Sequence, residues 1–213
     1  MIKIKEFIFN PIQVNTFVLY AENNDCIIVD PGCYTEDEYL KLFGFIEEYK
    51  LNPIGIVITH FHFDHVLGCA QVAKKYNITV SGHADYKLLF EHMDVKMQAQ
   101  LFDFDFEMPP LPERELKHDD EIMLGNNIIK VIHVPGHSPC GIALFIKEDK
   151  LLLTGDILFE GSIGRTDLYM GDMSLLVTGI QKKLLCLDDD TKVYAGHGYA
   201  TTIGKEKRTN PFF

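Results

Sequence analysis

Apolar positions along this chain fall mostly in short alternating or continuous runs, the pattern of strands, with fewer stretches at helical spacing. Met1-Ile2-Lys3-Ile4-Lys5-Glu6 alternates with period two and predicts a strand at the start. Asn15 to Asp30 reads as strand, polar turn (Glu22-Asn23-Asn24-Asp25) and strand, closing on Asp30-Pro31-Gly32. Gly141 to Asp156 repeats that outline, with its turn at Lys147-Glu148-Asp149-Lys150 and its close on Gly155-Asp156. A third hairpin turns at Gly125-Asn126-Asn127, between 122–124 and 128–134. The runs 54–58 and 192–195 read as further strands. Helical spacing appears over Glu36 to Tyr49, over the shorter Leu67 to Tyr76, and over a longer stretch from His83 to Leu101. From Phe102 to Pro112 the chain is irregular, because Pro109, Pro110 and Pro112 block both helix and central strand. Strands and helices interleaved in two matching halves, without a low-complexity linker, predict one α/β domain over 1–213, a sandwich with helices outside two sheets.

Composition narrows the possible partners. The chain has 213 residues, enough for a large core without staples, and 46% of them are hydrophobic. No apolar run reaches the roughly 18 residues of a membrane helix, and the charged start does not resemble a signal peptide. The five cysteines, Cys26, Cys33, Cys69, Cys140 and Cys186, are odd in number and scattered, which suits free thiols in a reducing cytoplasm. A net charge of −11 opposes a nucleic-acid partner, since such proteins present a basic surface to phosphate.

The chemistry concentrates in Thr59-His60-Phe61-His62-Phe63-Asp64-His65, directly after the run 54–58. Neutral imidazole and ionised carboxylate are ligands that zinc, iron and manganese accept. In an extended segment residues i and i+2 point the same way, so His60 and His62 can share one ion while Phe61 and Phe63 pack behind them. Asp64 and His65 follow where the chain turns and can hold a second ion. More ligands are then needed from other strand ends, and three candidates sit beside small residues that permit close approach. They are His137 after Val134-Pro135-Gly136, Asp156 after Thr154-Gly155, and His197 between Gly196 and Gly198.

His60-x-His62-x-Asp64-His65 with His137, Asp156 and His197 resembles the metallo-β-lactamase superfamily over essentially the whole chain. The resemblance implies a four-layer αββα sandwich with a dinuclear site at one edge of the sheets. It also implies that His60, His62 and His137 hold one ion, that Asp64, His65 and His197 hold another, and that Asp156 bridges the two. Asp30 resembles the family's aspartate just outside the ligands, although it could equally cap its turn. Within the family, the run 155–168 and the tail Thr201 to Phe212 resemble the short glyoxalase-II-like hydrolases. Gly164-Arg165-Thr166-Asp167 also occurs in persulfide dioxygenases, where the preceding loop carries cysteine instead of Ser162-Ile163.

These readings predict a metal-dependent thioester hydrolase acting on a small acyl-thiol of the S-lactoylglutathione kind. Two divalent ions, most simply zinc with iron or manganese as alternatives, lower the pKa of bound water from about 15.7 to about 7. The hydroxide so formed attacks the thioester carbonyl, with Asp64 orienting it as the catalytic side chain. The thiolate leaves without a separate acid, because its conjugate acid has a pKa of about 8.5. Arg165 either pairs with a substrate carboxylate or forms a salt bridge with Asp167. The competing expectation is a mononuclear iron oxygenase using His60, His137 and Asp156. His83, His92, His118 and His133 match no ligand position and are expected to be structural. Phe102, Phe104 and Phe106 are read as packing, with an apolar lip over the site as the alternative.

Overall fold

The computed structural model describes residues 1–91 and 95–213. Two six-stranded sheets organise it. The first contains, in spatial and chain order, β1 (Lys3–Phe9), β2 (Val14–Tyr20), β3 (Asp25–Val29), β4 (Asn52–Val57), β5 (Val80–His83) and β6 (Arg114–Leu116). The second is built from β7 (Glu121–Leu124), β8 (Asn127–His133), β9 (Ile142–Ile146) and β10 (Leu151–Gly155). A small separate hairpin follows, β11 (Leu158–Phe159) with β12 (Ser162–Ile163), and then β13 (Lys192–Ala195) and β14 (Thr201–Thr202) complete the second sheet in the order β14-β13-β10-β9-β8-β7.

Strand alternation sorts the apolar residues into layers. Phe17, Leu19, Ile27, Val29 and Val57 of the first sheet meet Val131, Ile142, Leu144 and Leu153 of the second in a shared core. Their neighbours Val18, Ile28 and Ile56 point the other way, onto Leu42, Ile46, Val72 and Ala73 of the helices Glu36–Glu48 and Cys69–Tyr76. On the far side Ile132, Ala143, Leu152 and Val193 cover Leu176 and Ile180 of the helix Met173–Lys183. Each central strand is therefore buried on both faces, which is why it reads as a continuous apolar run. The layers run helix, sheet, sheet, helix: an αββα sandwich.

Three expectations change. The stretch from His83 to Leu101 is not one described helix: His83 ends β5, and the helices there are Tyr86–Phe90 and Val95–Gln100. His92 lies outside the described residues. The helix Met173–Lys183 is absent from the predicted elements because Val177, Thr178 and Gly179 weaken its propensity and only Leu176 and Ile180 are buried. Phe61 packs behind the histidines as expected, against Tyr86 and Phe90 at 5.2 and 5.8 Å, but Phe63 does not. A helical turn, Phe63–Val66, begins at that residue and ends the period-two alternation, so Phe63 turns to stack on Phe102. No helix among the described residues is long and apolar enough to cross a membrane.

Strand direction decides where the loops gather. β8 and β10 each pair antiparallel with β9 and so run the same way, and β13 is parallel to β10. The residues after β8, β10 and β13 consequently emerge at one edge of the second sheet. In the first sheet β3 and β4 are parallel, which places Asp30 and the segment from Thr59 on one side as well. Two backbone hydrogen bonds lock the edges together: Ile142 N–H donates to the Thr59 carbonyl (2.9 Å) and Asn15 N–H to that of Gly196 (2.6 Å).

Candidate metal centre

At this shared edge all seven candidate ligands converge. His137 Nε2 lies 3.2 Å from His60 Nε2 and 3.0 Å from His62 Nδ1. Nitrogens bound tetrahedrally at about 2.0–2.1 Å from zinc would sit about 3.3 Å apart, so these three are spaced to share one ion. Beside them His197 Nε2 is 3.1 Å from Asp64 Oδ2, and His65 Nε2 is 3.6 Å from the same oxygen. Asp156 stands between the two groups: Oδ2 is 3.7 Å from both His137 Nε2 and His197 Nε2, and Oδ1 is 3.4 Å from His65 Nε2. His65 Nε2 and Asp156 Oδ1 are buried and have no hydrogen-bond partner. Leaving buried polar atoms unmade costs about 1–3 kcal/mol each, and a cation would relieve it. Two triads, His60-His62-His137 and Asp64-His65-His197, bring their ligand atoms close enough to hold metal. The residues fit two divalent ions.

Outer contacts aim the rings. The outward Nδ1 of His65 is 2.9 Å from Asp30 Oδ2, that of His137 is 2.8 Å from the Arg165 carbonyl, and that of His197 is 3.1 Å from the Gln13 carbonyl. His60 Nδ1 lies 3.2 Å from Thr59 Oγ1, whose hydroxyl donates to Asp30 at 2.6 Å. Asp30 also accepts the Thr59 N–H at 2.7 Å, so one carboxylate steadies two imidazoles. It does so from a left-handed backbone, φ 49°, a conformation that is costly for most side chains and tolerated by Asp. The turn at Asp30 thus serves the cluster. Thr59 has no predicted role; only its place before His60 marks it.

Glycine makes the approach possible at Gly196, where a Cβ would collide with Asp156 Oδ1 and lie 2.7 Å from His65 Cε1. At Gly155 a side chain would strike Thr59, and φ is +48°.

Electrostatics favour ligation. Burial above all, reinforced by neighbouring imidazoles, holds His60 well below its ordinary pKa and brings His62 to about 3. Burial also lowers His137, against the pull of Asp156. Burial pushes the Asp64 and Asp156 carboxyls up, but the facing imidazoles, led by His65, outweigh it and both lie below their ordinary range. His65 and His197 move up: burial opposes this, but the adjacent carboxylates win. The first triad therefore offers lone pairs, and the second a carboxylate-rich place that attracts positive charge.

A cavity of about 440 Å³ opens onto the cluster, lined by His62, Asp64, His137, Asp156 and His197 at its base. Phe63, Leu101 and Phe102 form part of its wall, so Phe102 belongs to an apolar lip rather than to core packing. Phe104 packs beneath it on Tyr34 and Phe63 at 4.9 and 5.4 Å. Arg165 reaches the rim, and its Nε and Nη2 each donate to Asp167 at 2.7 Å.

Known proteins resemble this chain in sequence and in fold. Residues 9–197 match the family model described as the metallo-beta-lactamase superfamily. Hydroxyacylglutathione hydrolase GloC of Haemophilus influenzae is 39% identical over 202 residues, 94% of this chain and 92% of that protein. Among solved structures, BLEG-1 B3 metallo-beta-lactamase superposes with a TM-score of 0.88 at 34% identity, covering 99% of both chains. TTHA1623 in a di-iron-bound form gives a TM-score of 0.87 at 34% identity, over 98% of this chain and 100% of that one. With a full-length match in sequence and in fold, the chain belongs to the metallo-β-lactamase superfamily of metallo-hydrolases.

Proposed function

We propose that this protein is a dinuclear metal-dependent thioesterase of the cytoplasm that cleaves small acyl-thiols. The observation that carries the reading is the convergence of His60, His62, Asp64, His65, His137, Asp156 and His197 beneath one open cavity. His60, His62 and His137 would hold one ion and Asp64, His65 and His197 the other, with Asp156 facing both groups. Bound divalent ions supply a water acidified to a pKa of about 7 and a Lewis acid for a carbonyl oxygen. The Asp64 carboxylate, ionised by its imidazole neighbours, accepts a hydrogen bond from the attacking water and sets its direction. The thiol group departs as thiolate, which at a conjugate-acid pKa of about 8.5 requires no protonation by the protein. Relatedness to a hydroxyacylglutathione hydrolase supports the same substrate class. The second triad, with Asp64 and His197 3.1 Å apart, supports two ions over the single iron of an oxygenase.

Likeness to a B3 metallo-beta-lactamase gives a second reading, hydrolysis of a β-lactam. That leaving group is an amine nitrogen, which must be protonated to depart, and this places the thioester first. The deciding experiment measures hydrolysis of S-lactoylglutathione, simple acyl-thiols and a chromogenic cephalosporin by chelated protein reloaded with zinc, iron or manganese. Thioester turnover that vanishes on chelation and returns with metal is the expected result. Turnover surviving complete demetallation, or cephalosporin cleavage alone, ends the thioesterase reading.

A further inference from the structure

The cavity above the cluster has a polar base and an apolar wall, and that division points to the substrate. Ile12, Phe63, Leu89, Leu101, Phe102 and Leu168 all line it. Phe63 and Phe102 stack at 5.2 Å with their planes 22° apart, making a continuous aromatic surface. Leu101 and Phe102 are 72% and 59% exposed. Single exposed apolar residues are ordinary, but these share one concave surface next to reactive groups, where an apolar ligand would be buried. Gln98 and Tyr169 supply the uncharged polar groups of the wall.

Charge argues the same way. Apart from the histidines at the base, Arg165 is the basic side chain among the described lining residues, and Asp167 takes it in a two-bonded pair. A carboxylate-bearing ligand would have to displace Asp167 and approach a chain of net charge −11. The thiolate leaving group needs water around its developing charge, so it belongs at the mouth. The product carboxylate keeps its charge at the cluster and can leave its tail on the wall.

Building on the thioesterase reading, we infer that the Phe63–Phe102 wall is an acyl pocket, selecting thioesters whose acyl group is an uncharged alkyl or aryl chain over small hydroxyacyl groups. Each added methylene that reaches the wall raises affinity about fourfold until the pocket is filled.

Two measurements test this. The first compares kcat/KM of the metal-loaded enzyme for acetyl, butanoyl, hexanoyl and lactoyl thioesters, all on N-acetylcysteamine. The expected series climbs about fourfold per methylene with lactoyl below butanoyl, and Phe102→Ser lowers the hexanoyl-to-acetyl ratio. The second is calorimetry with uncleavable S-ethyl, S-butyl and S-hexyl thioethers of N-acetylcysteamine, where affinity rises and the heat-capacity change grows more negative with length. Thioesters cleaved with a flat or falling series, or thioethers of equal affinity, overturn the acyl pocket and leave the thioesterase standing. Rising thioether affinity with no thioester cleaved supports the pocket and removes the thioesterase.

Discussion

His60, His62 and His137 turn ring nitrogens toward one point, whereas His83 and His133, in a second group with Asp85, lie face to face. Both groups bring ligand atoms within reach of a cation, three imidazoles in the first and two imidazoles with a carboxylate in the second. In the second, the rings stack with centroids 3.7 Å apart and planes 19° apart. Imidazole lone pairs lie in the ring plane, so an ion about 2.0–2.1 Å from both nitrogens would lie well out of both planes. His83 Nδ1 already accepts the Asp85 N–H at 3.2 Å, and His133 Nε2 lies 2.8 Å from the Pro139 carbonyl. Lys183 adds a cation there, donating to the His133 carbonyl at 2.7 Å. Proximity does not make a metal site. Convergent lone pairs without other partners do, and the first cluster has them, with His60 and His137 steadied from outside.

Substitutions at the two clusters should separate them sharply. The largest effect is expected for Asp156→Asn, which weakens the carboxylate facing both triads: activity falls by more than about 100-fold, beyond the range for partners outside the ligand set. Metal per chain, counted by elemental analysis, falls with it. Asp30→Asn comes next. Asparagine tolerates the left-handed backbone at that position, so the change isolates the loss of charge behind His65 and Thr59. A drop of about 10- to 100-fold in metal affinity, titrated against a competing chelator, is the expected outcome.

For the stacked pair the prediction concerns stability and not metal. Burial first, then each other's charge, lowers His83 to about 4, with Asp85 and Asp120 opposing, and burial lowers His133 too. A histidine depressed on folding binds its proton more readily when unfolded. Its contribution is therefore complete above the unfolded value of about 6.5 and is lost as pH falls toward about 4. His83→Gln should flatten urea-unfolding stability across that window by on the order of 2 kcal/mol, with metal content unchanged. A fall in bound metal would show that the comparison is wrong. The smallest effect belongs to Arg165→Ala. Its pair with Asp167 is exposed, and stability should shift by less than about 1 kcal/mol in thermal unfolding.

Much of the site was legible because its first four ligands are local. His60, His62, Asp64 and His65 lie within one strand exit, and period-two geometry already sends the first two the same way. The matching hairpins that end at Asp30 and Asp156 show the same economy, one in each sheet. The wall of the cavity was far less legible. Leu89 and Leu101 belong to a stretch where helical spacing predicts one long helix, Phe102 opens the irregular segment after it, and an apolar residue in either looks the same whether it fills a core or faces a ligand. Phe63 misleads for a related reason, since alternation fails where the chain begins to coil.

Residue type and spacing alone pointed to an α/β sandwich with helices outside two sheets, through strands and helices interleaved in two matching halves, and singled out seven candidate ligands. The family resemblance supplied the αββα layering and the sharing of those ligands between two ions. Only the tertiary structure decided which of the histidine groups converges, that Asp30 braces two rings, and that Arg165 spends its charge on Asp167. Those outcomes depend on where strand ends from two sheets meet and on which lone pairs remain unclaimed after folding. Distances across an interface of that kind have no period along the chain.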